Sequence, residues 1–173
     1  MRRARWALAI VVLFTGCASD PYPLPSGPPH AAQSNPARIG DPTTAVLIYL
    51  AIHPGDRVEL PGAEPVNTID GARIRFLLSR PVIHANGDKV IGEALEDLDG
   101  AQVAAASASP AFDAYLNTVG IVGELTAQRP GSFEVTSLRL RYRLNGGGEQ
   151  VREGIDVVWT VCADDPAPIK CAT

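Results

Sequence analysis

A chain of 173 residues is long enough for one domain with a proper hydrophobic core. Its formal net charge is −4, and the 15 basic residues less the three arginines at 2, 3 and 5 leave 12 against 19 acidic ones. That balance gives no general pull towards nucleic acid or anionic lipid. Aromatics are only 6% of the chain, while 15 prolines and 16 glycines speak for many turns rather than long helices.

The chain opens with Arg2, Arg3 and Arg5, followed by the apolar run Trp6 to Phe14 and then Thr15-Gly16-Cys17. An apolar run this short cannot span about 30 Å of hydrocarbon, which takes about 20 residues, so the segment reads as an export signal. Phe14-Thr15-Gly16-Cys17 resembles the lipobox of bacterial lipoprotein signal peptides, with phenylalanine where leucine is usual. The resemblance implies that residues 1–16 are removed and that Cys17 becomes the first residue and carries lipid. It also implies a partner, the membrane, and a place: the outer side of the cytoplasmic membrane, or the outer membrane where there is one. Two or three acyl chains anchor durably, since each buried CH₂ contributes about 0.8 kcal/mol.

Residues 17–43 read as a tether. Prolines at 21, 23, 25, 28, 29 and 36 interrupt any apolar period, and such a segment is expected to stay extended and unfolded between the anchor and the domain. The domain is placed at 44–173. Thr44 to Ile52 is a continuous apolar run, either a strand buried on both faces or a short helix. His53 to Asp56 is a turn, Arg57 to Leu60 a short strand, and Pro61 and Pro65 mark a loop or an edge. Arg73 to Leu78 alternates as a strand, Pro81 calls for a bulge or an edge, and Ala85 to Asp88 turns the chain into a partner strand at Lys89 to Leu95. Glu96 to Gly100 is read as a loop, and Ala101 to Pro110 gives no clear signal. Between Phe112 and Leu125 helical spacing competes with Gly120 and Gly123, and a strand is expected from Val119 to Thr126.

The clearest pattern lies between Phe133 and Val161. Leu138, Leu140, Tyr142 and Leu144 alternate with Arg139, Arg141 and Arg143, and Val151, Ile155, Val157, Trp159 and Val161 alternate with mostly polar residues. Asn145 to Gly148 supplies the reversal between them. This is a β-hairpin with one core face and one wet face. Its entry, Pro130-Gly131 then Phe133-Glu134-Val135, resembles the last strands of an immunoglobulin-like or fibronectin-like domain. The expected fold is therefore all-β, a single antiparallel immunoglobulin-like β-sandwich of six to eight short strands. Cys162 and Cys171 are the remaining thiols once Cys17 is lipidated, and outside the cytoplasm they are expected to form a structural disulfide.

The motifs tested for chemistry give little. His30, His53 and His84 are scattered, and Met1 is the only methionine, which leaves no soft thioether for Cu(I). The acidic run Glu93, Glu96, Asp97, Asp99 departs from an EF-hand loop at Leu95 and Ala106. No nucleophile elbow surrounds Ser107 or Ser109, and Gly120 to Gly123 is only a glycine pair, not a phosphate loop. No cofactor or metal is expected. Arg139, Arg141 and Arg143 are the candidate binding surface for an anionic glycan or a protein partner, against a plainer reading as a wet face opposite Glu149, Arg152 and Asp156. The sequence is read as a non-enzymatic binding or assembly module at the cell envelope. The competing classes are an enzyme whose site no motif marks, and a carrier of a small ligand or metal.

Overall fold

The computed structural model describes residues 32–86, 89–104, 117–168 and 170–171. Residues 1–16, Cys17, His30, Ser107, Ser109 and the stretch 112–116 lie outside them. Nine strands and no helix occur among the described residues: β1 (Gln33–Arg38), β2 (Pro42–Ala51), β3 (Arg57–Pro65), β4 (Ala72–Ile83), β5 (Lys89–Asp97), β6 (Ala101–Ala104), β7 (Thr118–Ala127), β8 (Gly131–Leu144) and β9 (Glu149–Asp164). They form two sheets, ordered β1-β9-β8-β3-β6 and β2-β7-β4-β5. The expected all-β sandwich is what the chain adopts, with one core built from the inner faces of both sheets.

The β8–β9 hairpin forms as the alternation requires. Leu138, Leu140 and Tyr142 are buried, as are Ile155, Val157, Trp159 and Val161. Two register shifts, between Val135 and Ser137 and between Leu138 and Leu140, divide the ladder. The first shift reverses which parity of β8 faces the core, so Phe133 and Val135 are buried on odd numbers and Leu138 and Leu140 on even ones. In β9 the second shift falls at Gly154, whose φ of +68° suits a glycine bulge. Beyond it Arg152 and Gln150 stand opposite Leu140 and Tyr142. Val151, expected in the apolar row, is therefore turned to the wet face and is 51% exposed.

Trp159 is fully buried and lies against Gly123 of β7. A β-carbon at Gly123 would come within 2.6 Å of the indole and 2.8 Å of a Leu47 methyl. Gly120, three residues earlier, faces the other side of the same strand, where a β-carbon would meet Ile91 at 2.6 Å. There the β4–β5 arm folds over the outer face of its own sheet. Pro81 sits at the register shift between Arg80 and Val82, as its missing N–H requires, and the Gly92 N–H donates to the buried Ser79 hydroxyl at 2.6 Å. Thus β2 and β7 are covered on both faces, which explains the continuous apolar run at 44–52.

Four expectations change. The tether, read as running to residue 43, contains β1 and the start of β2. Its prolines do not prevent this, because β1 is an edge strand. It pairs with β9 in parallel, so the sandwich is not wholly antiparallel. Asn35 accepts the Trp159 indole N–H at 3.0 Å, and the Gln33 side chain donates to the Val46 carbonyl at 2.9 Å. Glu96 and Asp97 belong to β5 rather than to a loop, and Ala101 to Ala104 is an edge strand on Arg57 to Leu60. Cys162 and Cys171 are disulfide-bonded with their Cα atoms 5.4 Å apart, which ties the chain beyond β9 to that strand.

Candidate functional site

Along β8 the outward positions are arginines, and the strands on either side present glutamates. Register places Glu59 and Glu64 of β3 opposite Arg143 and Arg139, and Glu149 of β9 opposite Arg143 on the other side. Arg143 reaches Glu59 at 2.7 Å and Glu149 at 3.1 Å. Arg139 reaches Glu64 at 2.9 Å and Glu153 at 2.8 Å. The Glu64 hydrogen bond, then the charge of Glu153, holds the Arg139 guanidinium above its usual range. The expected opposing residues were Glu149, Arg152 and Asp156. The register shift instead turns Arg152 to the side of Leu140 and brings Glu153 to Arg139. Only Arg141 is loosely held, 3.9 Å from Glu149, with its guanidinium lying over Gly62.

Two clefts flank this row. The first, about 460 Å³, lies beside the hairpin turn and is lined by Arg57, Glu59, Gln102, Arg143 and Asn145. Asn145 shapes it: its side chain accepts the Arg57 N–H and donates to Asp56, both at 2.8 Å. The second cleft, about 580 Å³, opens between the two sheets and is bordered by Arg141. It arises because the flanking strands are short. β6 pairs with β3 only over Arg57–Leu60, and β5 pairs with β4 only from Leu77 onward. That leaves 61–65 of β3 and 72–76 of β4 facing each other as two free lips.

The second cleft is closed above and below. Above, the chain crosses from β5 to β6, with the Leu98 N–H on the Phe76 carbonyl at 3.3 Å and the Gly100 N–H on the Leu60 carbonyl at 3.0 Å. Below runs the 66–71 connection, held by Asn67 on the Glu134 carbonyl at 2.7 Å and by Arg129 on the Asp70 carbonyl at 3.2 Å. Half-buried Ile74 and Phe76 and buried Leu98 give the opening an apolar floor. Its rim is charged: Glu64, Arg75, Asp97, Asp99 and Arg141. Glu124 bonds Arg75 at 2.6 Å and holds that guanidinium above its usual range.

No family model matches the chain, and no curated protein or solved structure matches it. The candidate residues must therefore be judged on geometry alone. The structure brings Arg139, Arg141 and Arg143 together on one face, with Arg141 and Arg143 each bordering a cleft. It does not gather the histidines: His84 pairs with Glu93 at 2.9 Å and His53 lies 3.9 Å from Asp56. No group of three metal-ligating side chains is found among the described residues. Sequence reasoning missed the free lip at 72–76. The signal available was the pair Pro61 and Pro65, which marked an edge without showing what lay across from it.

Proposed function

We propose that this chain is an exported lipoprotein, anchored through lipid on Cys17, whose immunoglobulin-like β-sandwich is a non-enzymatic binding module at the cell envelope. The anchor rests on the N-terminal sequence alone: a basic start, the apolar run to Phe14, and Thr15-Gly16 before Cys17. The binding role rests on where the accessible chemistry sits. Trp159, Tyr142 and the aliphatic side chains around them fill the space between the sheets, whereas the loosely paired arginine and both clefts lie on the outside. A filled interior favours binding at the surface over carriage of a ligand inside. The partner is a protein or an anionic glycan of the envelope.

Membrane partition of Cys17→Ser tests the anchor. The native protein is expected in the membrane fraction after a carbonate wash and the variant in the soluble fraction. A variant that stays with the membranes would remove the lipid from this reading.

A further inference from the structure

The two lips of the 61–65/72–76 cleft are not equivalent. Beyond its register shift β3 directs its even residues to β8, as the bond from the Val66 N–H to the Ser137 carbonyl shows. Alternation then turns Ala63 and Pro65 to the free side, while Pro61 lies within the shift itself. Pro65 has no N–H to offer there, so this lip is guarded in the way natural edges are. On β4 the odd residues face β7, as Gly71 does in accepting the Gln128 N–H. Ala72 and Ile74 therefore present both N–H and C=O to the cleft, and Phe76 presents its N–H. Among the described residues these groups have no partner, and no proline guards them.

We infer that β4 takes up an extended segment of another polypeptide along Ala72–Phe76, adding a strand to its sheet. This rests on the reading of the domain as a binding module and names its site. Main-chain pairing would supply the affinity and alternate side chains the selectivity. Inward positions of the added strand meet Ile74, Phe76 and Leu98 and call for apolar residues. Outward positions lie beside Arg73 and Arg75. Arg75 is paired to Glu124, while Arg73, exposed at the lower end, makes no ion pair among the described residues. Asp99, exposed at the upper end, likewise makes none. An antiparallel partner is thus selected with a basic residue near its start, by Asp99, and an acidic one further on, by Arg73. A second copy of this chain is a poor occupant: antiparallel pairing about Ile74 sets Arg73 against Arg75 of the copy, and like charges directly opposite are unfavourable. The chain's own residues 21–31 are a poor one too, because their prolines at 21, 23, 25, 28 and 29 withhold donors.

The test uses the full chain in detergent and a synthetic heptapeptide. The peptide has lysine first, valine at its second, fourth and sixth places, glutamate fifth and threonine elsewhere. Saturable binding is expected, with slowed amide exchange at Ala72 and Ile74. Methylating the peptide nitrogen of the fourth residue, or Ile74→Pro, should abolish it. Exchanging the lysine and glutamate should weaken binding about three- to tenfold, and Arg73→Glu should restore the exchanged peptide, a gain that misfolding cannot mimic. Absence of binding by a chain with native circular dichroism overturns the inference. So does binding that leaves the Ala72 and Ile74 amides unprotected and is lost on Arg143→Ala, which would place the ligand on the arginine face. Concentration-dependent protection of these amides without peptide would make the occupant a second copy and also overturn it. None of these outcomes alters the membrane partition of Cys17→Ser, so failure here is separable from failure of the anchored-lipoprotein reading.

Discussion

The two faces of the β8–β9 hairpin use the same strands and the same alternation, yet they are stabilised by different means. The inner face depends on the other sheet. Trp159 occupies the space that Gly123 leaves on β7, while Asn35 of β1, in its own sheet, accepts the indole N–H. The outer face depends on its own sheet, where Arg139 and Arg143 each lie between two glutamates on neighbouring strands. Inner contacts hold the two sheets together, so losing one costs burial that nothing nearby replaces. Outer pairs are solvated, and each charge has water as an alternative partner. The stability of the sandwich should therefore reside almost wholly on one side of this hairpin.

The largest effect expected is Trp159→Ala. It empties the centre of the core and strands the Asn35 side chain, at a cost of about 3–5 kcal/mol, enough to unfold a domain of ordinary stability. Denaturant titration followed by circular dichroism would show it, and a loss below about 1 kcal/mol would refute the two-face comparison. Gly123→Ala comes next. The added methyl meets a rigid ring and a Leu47 methyl at overlapping distance, for about 1–3 kcal/mol of overpacking. Measured again in a Trp159→Ala background, that cost should shrink or change sign, because the ring is gone and alanine suits a strand better than glycine. An equal cost in both backgrounds would mean that Gly123 acts through its backbone and not through the space it leaves.

Of this architecture the hairpin was the most legible part, because period two shows in Leu138, Leu140 and Tyr142 without knowledge of any neighbour. Val151 was misplaced because parity holds only between bulges, although an isolated glycine in a strand pattern, Gly154, was a usable sign of one. The strand β1 was hidden for a different reason. Its partners, β9 in parallel and the Trp159 indole, lie more than a hundred residues away, and locally its proline at 36 reads as spacer. For the candidate site the arginine row was visible, but not its compensation, since Glu59 and Glu64 reach it only through the β3–β8 register. The cleft was not legible at all. It is made by where β5 and β6 stop, and a sequence shows where strands form more clearly than where their pairing ends.

A smaller effect tests the border between the two faces. Tyr142 buries its ring with the core while its hydroxyl donates to Gln150 at 2.8 Å. Gln150 lies opposite it only because of the shift at Gly154. Tyr142→Phe keeps the ring and removes one partly buried hydrogen bond, so about 0.5–1.5 kcal/mol is expected. Gln150→Ala removes the other partner of that bond. In a double-mutant cycle the two changes should cost less together than the sum of the single costs. Strict additivity would mean that the bond contributes nothing and that the shifted register has no energetic role here.

The smallest effect belongs to Arg141. It is the middle residue of the row that the sequence singled out, and its only ion-pair contact among the described residues is 3.9 Å long. Its guanidinium covers Gly62, where β3 passes through its own register shift. Truncation uncovers a stretch of backbone that water can solvate and leaves no buried charge behind. Arg141→Ala should therefore change stability by no more than about 0.5 kcal/mol. That near-neutrality is informative because Trp159 lies on the neighbouring strand of the same sheet. If Arg141→Ala proves as damaging as Gly123→Ala, the outer face carries structural weight, and the division of labour between the two faces of the hairpin is wrong. If it is neutral, Arg141 is free to be spent on a ligand, and it is the arginine of the row that can leave its partner at least cost.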